Sequence, residues 1–380
     1  MGLARELAER IIALRYEDLP EAAIYWNKVA MLDTIGVMLA GTREEAPRLV
    51  DEVLGLPDTG PSLIFGTPRR ARALDAALVN GTAAHALDFD NTVSTMGGHV
   101  SATMVPALLA LGEACETAGR DLLVAHAAGF QTARIGRAVN PYHSAKGWHP
   151  TATLGVFAVT AACSRVLGLD TDQTETALAL STSLAAGTKA NFGTMTKPLH
   201  AGQCARGGML AALLAQKGFT ANRDAFEHKQ GFFKVFNGPE RCDPARILES
   251  WGEPLDIVAP GASYKLYPCC YSTHSAVEAA LNLVREHGTF DPASIERIDS
   301  WTSPRALAHT DRAQPQSALE AKFSVQYCVT RALLHGRVVL EHFEGEAYRD
   351  PVVRAVLSKV HAAPYTGPQF SPDDPFDAEV

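Results

Sequence analysis

The chain has 380 residues, 47% of them hydrophobic and 20% charged, with a formal net charge of −8. That length holds about two domains and a sizeable core, and the balance excludes disordered and fibrous classes. The negative charge argues against nucleic acid or an anionic membrane as partners, yet leaves an anionic substrate open, because a few buried cations decide that locally.

The first ten residues carry acids and arginines at helical spacing and do not read as a signal peptide. Apolar periodicity at three- and four-residue intervals then predicts helices over 2–13, 21–41, 44–54, 71–87, 101–118, 122–139, 151–167, 172–187 and 201–217. A short strand is expected at 62–65. Asp33, Pro106 and Arg165 interrupt the most apolar stretches, which therefore read as buried helices and not membrane spans. After Pro260 the texture changes. Residues 295–302 alternate as a half-buried strand, helices are expected at 275–286, 324–334 and 351–361, and 376–380 looks like the opening of another strand. The fold class expected is mainly α: a large all-helical domain over 1–262 and a smaller α+β lid domain over 263–380. Ending in mid-strand leaves an unpaired edge, so the natural chain is expected to run further.

The seven cysteines are scattered apart from Cys269–Cys270, and no C-x-x-C spacing occurs, which suits a reduced, cytoplasmic setting. No metal-binding spacing, Walker loop or G-x-G-x-x-G after a strand is present, so no metal and no cofactor are expected. The cysteines read as small buried hydrophobes, and Gly207-Gly208 as a point of close helix packing.

Three helix starts each carry a basic or imidazole side chain. His99 precedes Ser101, a natural N-cap; His149 precedes Pro150 in a first turn; Lys197 and His200 flank the third start beside Pro198. Free N–H groups and the partial positive charge of a helix start attract carboxylates and disfavour protonation of a nearby histidine or lysine. If the three starts converge, they supply two imidazoles and an ammonium to one anion. The blander reading of each is a local hydrogen-bonding residue. His85, His126 and His143 lack this context and read as structural or solvent-facing. Asp88 follows a helix C-terminus, where an acid needs a compensating cation such as Lys197 or His99. Asp90 and Asn91 read as ordinary turn residues. The segment 263–274 holds Lys265, suited to a distal carboxylate, and His274.

These segments carry a resemblance. Leu32-Asp33-Thr34-Ile35-Gly36, Leu87-Asp88-Phe89-Asp90-Asn91-Thr92, Gly98-His99-Val100-Ser101, Gly147-Trp148-His149-Pro150-Thr151, Thr196-Lys197-Pro198-Leu199-His200, Tyr267-Pro268-Cys269 and the run 321–327 stand in the order found in the MmgE/PrpD family, which the chain resembles over nearly its whole length. The resemblance implies a homodimer without metal or organic cofactor, and an active site lined by Asp88, Thr92, His99, His149, Lys197 and Lys265, with Tyr327 a further member. His200 and His274 join Thr92, Lys265 and Tyr327 in the substrate-binding set. Two positions depart from the family pattern: Asn91 stands where Asp is common, and 93–98 is slightly longer and glycine-rich.

The reading is a lyase on a small polycarboxylate, of the 2-methylcitrate dehydratase kind, with Asp88, His99, His149 and Lys197 catalytic. Removing a proton beside a carboxylate creates an unstable dianion, which Lys197 and the helix starts would stabilise while His99 and His149 exchange protons. Decarboxylation or epimerisation uses the same carbanion logic and is the alternative within the family. A non-catalytic helical binding protein and a metal-dependent hydrolase are the alternatives outside it.

Overall fold

The computed structural model describes residues 2–55, 59–238, 240–365 and 378–380. The chain forms two compact units, one of residues 1–190 and 196–264, the other of 191–195 and 265–380. Each has its own apolar core.

The first unit runs α1 (Leu3–Ala13), α2 (Glu21–Gly41), α3 (Glu45–Leu54), the two-residue strands β1 (Ser62–Leu63) and β2 (Arg70–Ala71), then α4 (Ala73–Ala86), α5 (Val100–Ala114) and α6 (Gly119–Thr132). It continues through α7 (Gly136–Val139), α8 (Tyr142–Ala145), α9 (Pro150–Thr153), α10 (Gly155–Val166), α11 (Thr171–Ser181), α12 (Thr196–Gln216), α13 (Phe232–Asn237) and α14 (Ala245–Leu248).

Helix α4 is its axis. Every residue from Asp75 to Ala86 is buried, so the helix has no polar stripe and must be enclosed by its neighbours. Small residues let them close in. A Cβ at Gly202 of α12 would lie 2.3 Å from the Leu78 carbonyl oxygen of α4, and one at Gly81 would lie 2.9 Å from the Gly202 Cα. The backbones of α4 and α12 therefore touch, and side chains one turn away can meet. Gly208 packs similarly on Val159, as its apolar setting suggested.

The second unit contains α15 (His274–His287), β3 (Ile298–Thr302), α16 (Pro304–Thr310), α17 (Ala318–Ala321), α18 (Val325–His335), α19 (Pro351–Leu357), β4 (Val360–Pro364) and β5 (Ala378–Glu379). Strand β3 is central, parallel to β4 and antiparallel to β5.

Several expectations need correction. The helix expected over 351–361 stops at Leu357, because residues from Val360 pair with β3 instead; non-local strand pairing overrides local helical spacing. The helix expected to reach 187 ends at Ser181, where the Ser181 and Thr182 hydroxyls hydrogen-bond to the carbonyls of Leu178 and Ala179. Between 133 and 135 a 3₁₀ turn breaks the 122–139 helix, and 218–262 is mostly turns around α13 and α14. The strand expected at 376–380 is observed at Ala378–Glu379; 376 and 377 lie outside the described residues. Among the described residues no helix is long and apolar enough to cross a membrane.

Candidate active site

The sequence at the end of α4 sets the site. His85 occupies its last turn, and Asp88 follows with φ 51°, a left-handed conformation that Asp tolerates better than most residues. Such strain persists where surrounding contacts hold it, often at functional positions. Here the contact is Lys197, in the first turn of α12, whose Nζ donates to Asp88 Oδ1 at 2.7 Å and lies 2.8 Å from His85 Nε2. An ammonium has only donors, so His85 Nε2 accepts. Its proton is then on Nδ1, which faces both Asp90 oxygens at 3.0 Å.

Asp90 is fully buried and meets a second imidazole, with His99 Nδ1 2.8 Å from Oδ2, though not aligned for a straight hydrogen bond. His99 Nε2 lies 3.9 Å from Asp88 Oδ1. The turn at 93–98 makes this possible. Val93 N–H donates to Gly98 O and Gly97 N–H to Val93 O, and Gly97 at φ +70° supplies the left-handed corner that returns the chain toward Asp90. The glycine-rich stretch is thus the device that delivers His99. From the start of α9, His149 stacks on His85 with ring centroids 5.8 Å apart, while His85 and His99 are 4.6 Å apart edge to face. His149 Nδ1 meets His200 Nδ1 of α12 at 3.1 Å.

Electrostatics follow burial. Burial lowers the His85 imidazole to about 4, opposed by Asp90 and assisted by Lys197. His149 is pushed well below the usual histidine range, by burial first and then by the Lys197 charge. His200 is lowered by the same two causes. Burial and the Lys197 ammonium favour the neutral form of these rings. Burial alone would raise the Asp90 carboxyl, but His85 and His99 together hold it well down.

The structure brings Asp88, His99, His149, Lys197 and His200 together. Thr92 has its backbone bridged to that of Ser263. Lys265, His274 and Tyr327 belong to the second unit. There Lys265 is buried, and the His274 ring lies 5.1 Å from both Tyr267 and Tyr271. Tyr327 is completely buried, and its hydroxyl donates to the His342 carbonyl and accepts from Arg331 Nε.

Sequence reasoning missed two members. His85 had been read as structural and Asp90 as a turn residue, yet they form the buried base of the cluster. A signal was available: His85, Asp88 and Asp90 are three titratable groups within six residues at the end of an alanine-rich helix. By contrast His126 on Asn27, and His143 between Asn237 and Thr153, are core histidines as expected. Ser101 is not a cap. The helix begins at Val100, and the Ser101 hydroxyl donates to Asn91 Oδ1.

That contact accounts for Asn91. Its amide Nδ2 donates to Asp33 Oδ2 at 2.9 Å, so an aspartate here would set two carboxylates against each other in a buried place. Asn91→Asp is expected to lower stability by about 1–3 kcal/mol at neutral pH and less at pH 4, measured by thermal unfolding. An unchanged Tm would show that the Asp33 contact is dispensable.

The same buried rings predict an acid sensitivity. His85, His126 and His143 are lowered by burial to about 4, 3 and 4, whereas in an unfolded chain they titrate near 6.5. As pH falls through that window the unfolded chain takes up protons that the native state refuses. Each ring then costs about 1.4 kcal/mol per pH unit. Asp90, held low, adds its loss only below about pH 4. The melting temperature is therefore expected to be flat above pH 7 and to fall steeply from pH 6.5 to 5, whereas a flat profile down to pH 5 would contradict these assignments.

His85, Asp88, Asp90 and His99 present ligand atoms all within 4.8 Å of one another, a spacing a metal could use. No sequence motif indicated it. Both His85 nitrogens and Asp88 Oδ1 are, however, engaged by Asp90 and by an ammonium, which competes for the same position. The donor set is arranged as an ion-pair and hydrogen-bond network.

Family models for the MmgE/PrpD N-terminal domain and C-terminal domain match residues 5–245 and 267–376, so the chain belongs to the MmgE/PrpD family and at the level of reaction class is a lyase of that family. Among curated relatives it is similar to the cis-aconitate decarboxylase of Homo sapiens, 32% identical over 374 residues, spanning 94% of this chain and 76% of that protein. The cis-aconitate decarboxylase of Mus musculus is 31% identical, covering 98% of this chain and 77% of its own. That of Aspergillus terreus is 27% identical, covering 90% and 74%.

Proposed function

We propose that the chain is a decarboxylase of an unsaturated tricarboxylate of the cis-aconitate kind. The dehydratase reading taken from the sequence is second to it, because the relatives above are decarboxylases. One observation carries the reading. Lys197 and His99 are each held by a buried carboxylate, Asp88 and Asp90, and His85 ties the two pairs together.

In such a substrate one carboxylate is attached to a carbon next to a C=C bond. As CO2 leaves, the pair of electrons of the breaking C–C bond enters the allylic system, the double bond shifts, and the far carbon takes a proton. The intermediate charge spreads onto a neighbouring carboxylate. Lys197, fixed by two partners, meets that charge without reorganising. His99, whose side chain is 12% exposed where His85 and Asp90 are sealed, gives the proton. Neutral His149 donates a hydrogen bond to a substrate carboxylate. A dehydratase would use the same groups to remove a proton and protonate a departing hydroxyl.

NMR on incubations with cis-aconitate, citrate, 2-methylcitrate and an iminodicarboxylate separates the readings. The decarboxylase predicts one CO2 released per cis-aconitate consumed. Water loss from a hydroxy acid with no CO2 would establish the dehydratase instead.

A further inference from the structure

We propose that His200 and His149 form a proton inlet, through which solvent replaces the proton consumed in each turnover. The inference rests on the decarboxylase reading, because loss of CO2 from a trianion to leave a dianion takes up one proton per cycle. Dehydration by itself has no such demand.

The geometry supplies the path. The two Nδ1 atoms are 3.1 Å apart, and a hydrogen bond between them requires one to carry the proton and the other to accept it. The two Nε2 atoms are then the outer ends of a two-ring chain. His200 is partly exposed, whereas His149 is only 2% exposed and lies against His85 in the cluster. His200 is thus the partly open end of the pair and His149 the end packed in the cluster. His200 Nε2 takes a proton from water or buffer, His200 Nδ1–H passes to His149 Nδ1, and His149 releases its Nε2 proton toward the cluster. The starting tautomers return by proton exchange with water, since rotating a ring does not carry a proton from one of its nitrogens to the other. Neither ring is a proton trap, since burial and the Lys197 charge lower both.

His200→Gln keeps a polar side chain of similar reach but cannot relay. With cis-aconitate at neutral pH and minimal buffer, its kcat is expected to fall about tenfold or more, with KM within about twofold of wild type. Added imidazole is expected to restore most of the rate in the variant and to leave the wild type unaffected. Circular dichroism checks the fold, and His200→Asn serves if His200→Gln does not fold. A variant as fast as wild type in minimal buffer would overturn the proposal. So would a raised KM with no response to imidazole, the mark of a direct substrate contact. Wild-type CO2 release is measured alongside. If it is absent, the decarboxylase reading fails; if it is present and the variant ignores buffer, the inlet alone fails.

Discussion

Replacing Asp90 by asparagine is expected to lower kcat by about 10⁴-fold while leaving the chain folded, a loss of the size seen when a carboxylate that fixes a catalytic imidazole becomes an amide. The chain of cause runs through hydrogen positions. Asp90 accepts from His85 Nδ1 at both oxygens, and His99 Nδ1 lies 2.8 Å from Oδ2. An asparagine accepts on one side only and presents N–H groups on the other. If those face His85, the ring proton moves to Nε2, where it meets the Lys197 ammonium at 2.8 Å, donor against donor. If they face His99, that imidazole loses its orienting acceptor. Either way one side chain is misplaced, Lys197 through His85 or His99 directly. Steady-state kinetics beside a melting curve check this. A variant with wild-type kcat would show that the carboxylate is merely packing.

Lys197→Met is expected to be worse in two respects at once. Activity falls at least about 10³-fold, because the charge facing the developing anion is gone. Stability falls by about 3–5 kcal/mol, because Asp88 keeps a buried carboxylate without its cation. Adding Asp88→Asn to Lys197→Met is expected to return much of that stability and none of the activity. Thermal unfolding of the single and double variants measures the first part, and turnover the second. If the double variant were no more stable than Lys197→Met, the buried ion pair would not be what holds the end of α4 to α12.

Much of this architecture was legible beforehand. The helices of the first unit follow from apolar spacing, and the starts carrying His99, His149 and Lys197 stand out because a glycine or proline sits beside a basic group. What sequence spacing could not carry is the third dimension. His85 lies in an unbroken alanine-rich helix, and only the Gly81–Gly202 approach reveals that Lys197 reaches it. Ser101 has the composition of a cap, yet Asn91, ten residues away, claims its hydroxyl. Residues 351–361 have helical spacing, but Val360–Pro364 finds a partner in β3 some sixty residues earlier. In each instance a long-range contact outweighed a local pattern.

The central claim is that proton transfer to carbon occurs at the imidazole held between Asp90 and Asp88. Turnover of cis-aconitate by His99→Ala measures it most directly, with the fold checked by circular dichroism. The expected kcat is at least about 10³-fold below wild type in a protein that melts within a few degrees of it. A folded His99→Ala variant turning over within about threefold of wild type would contradict it.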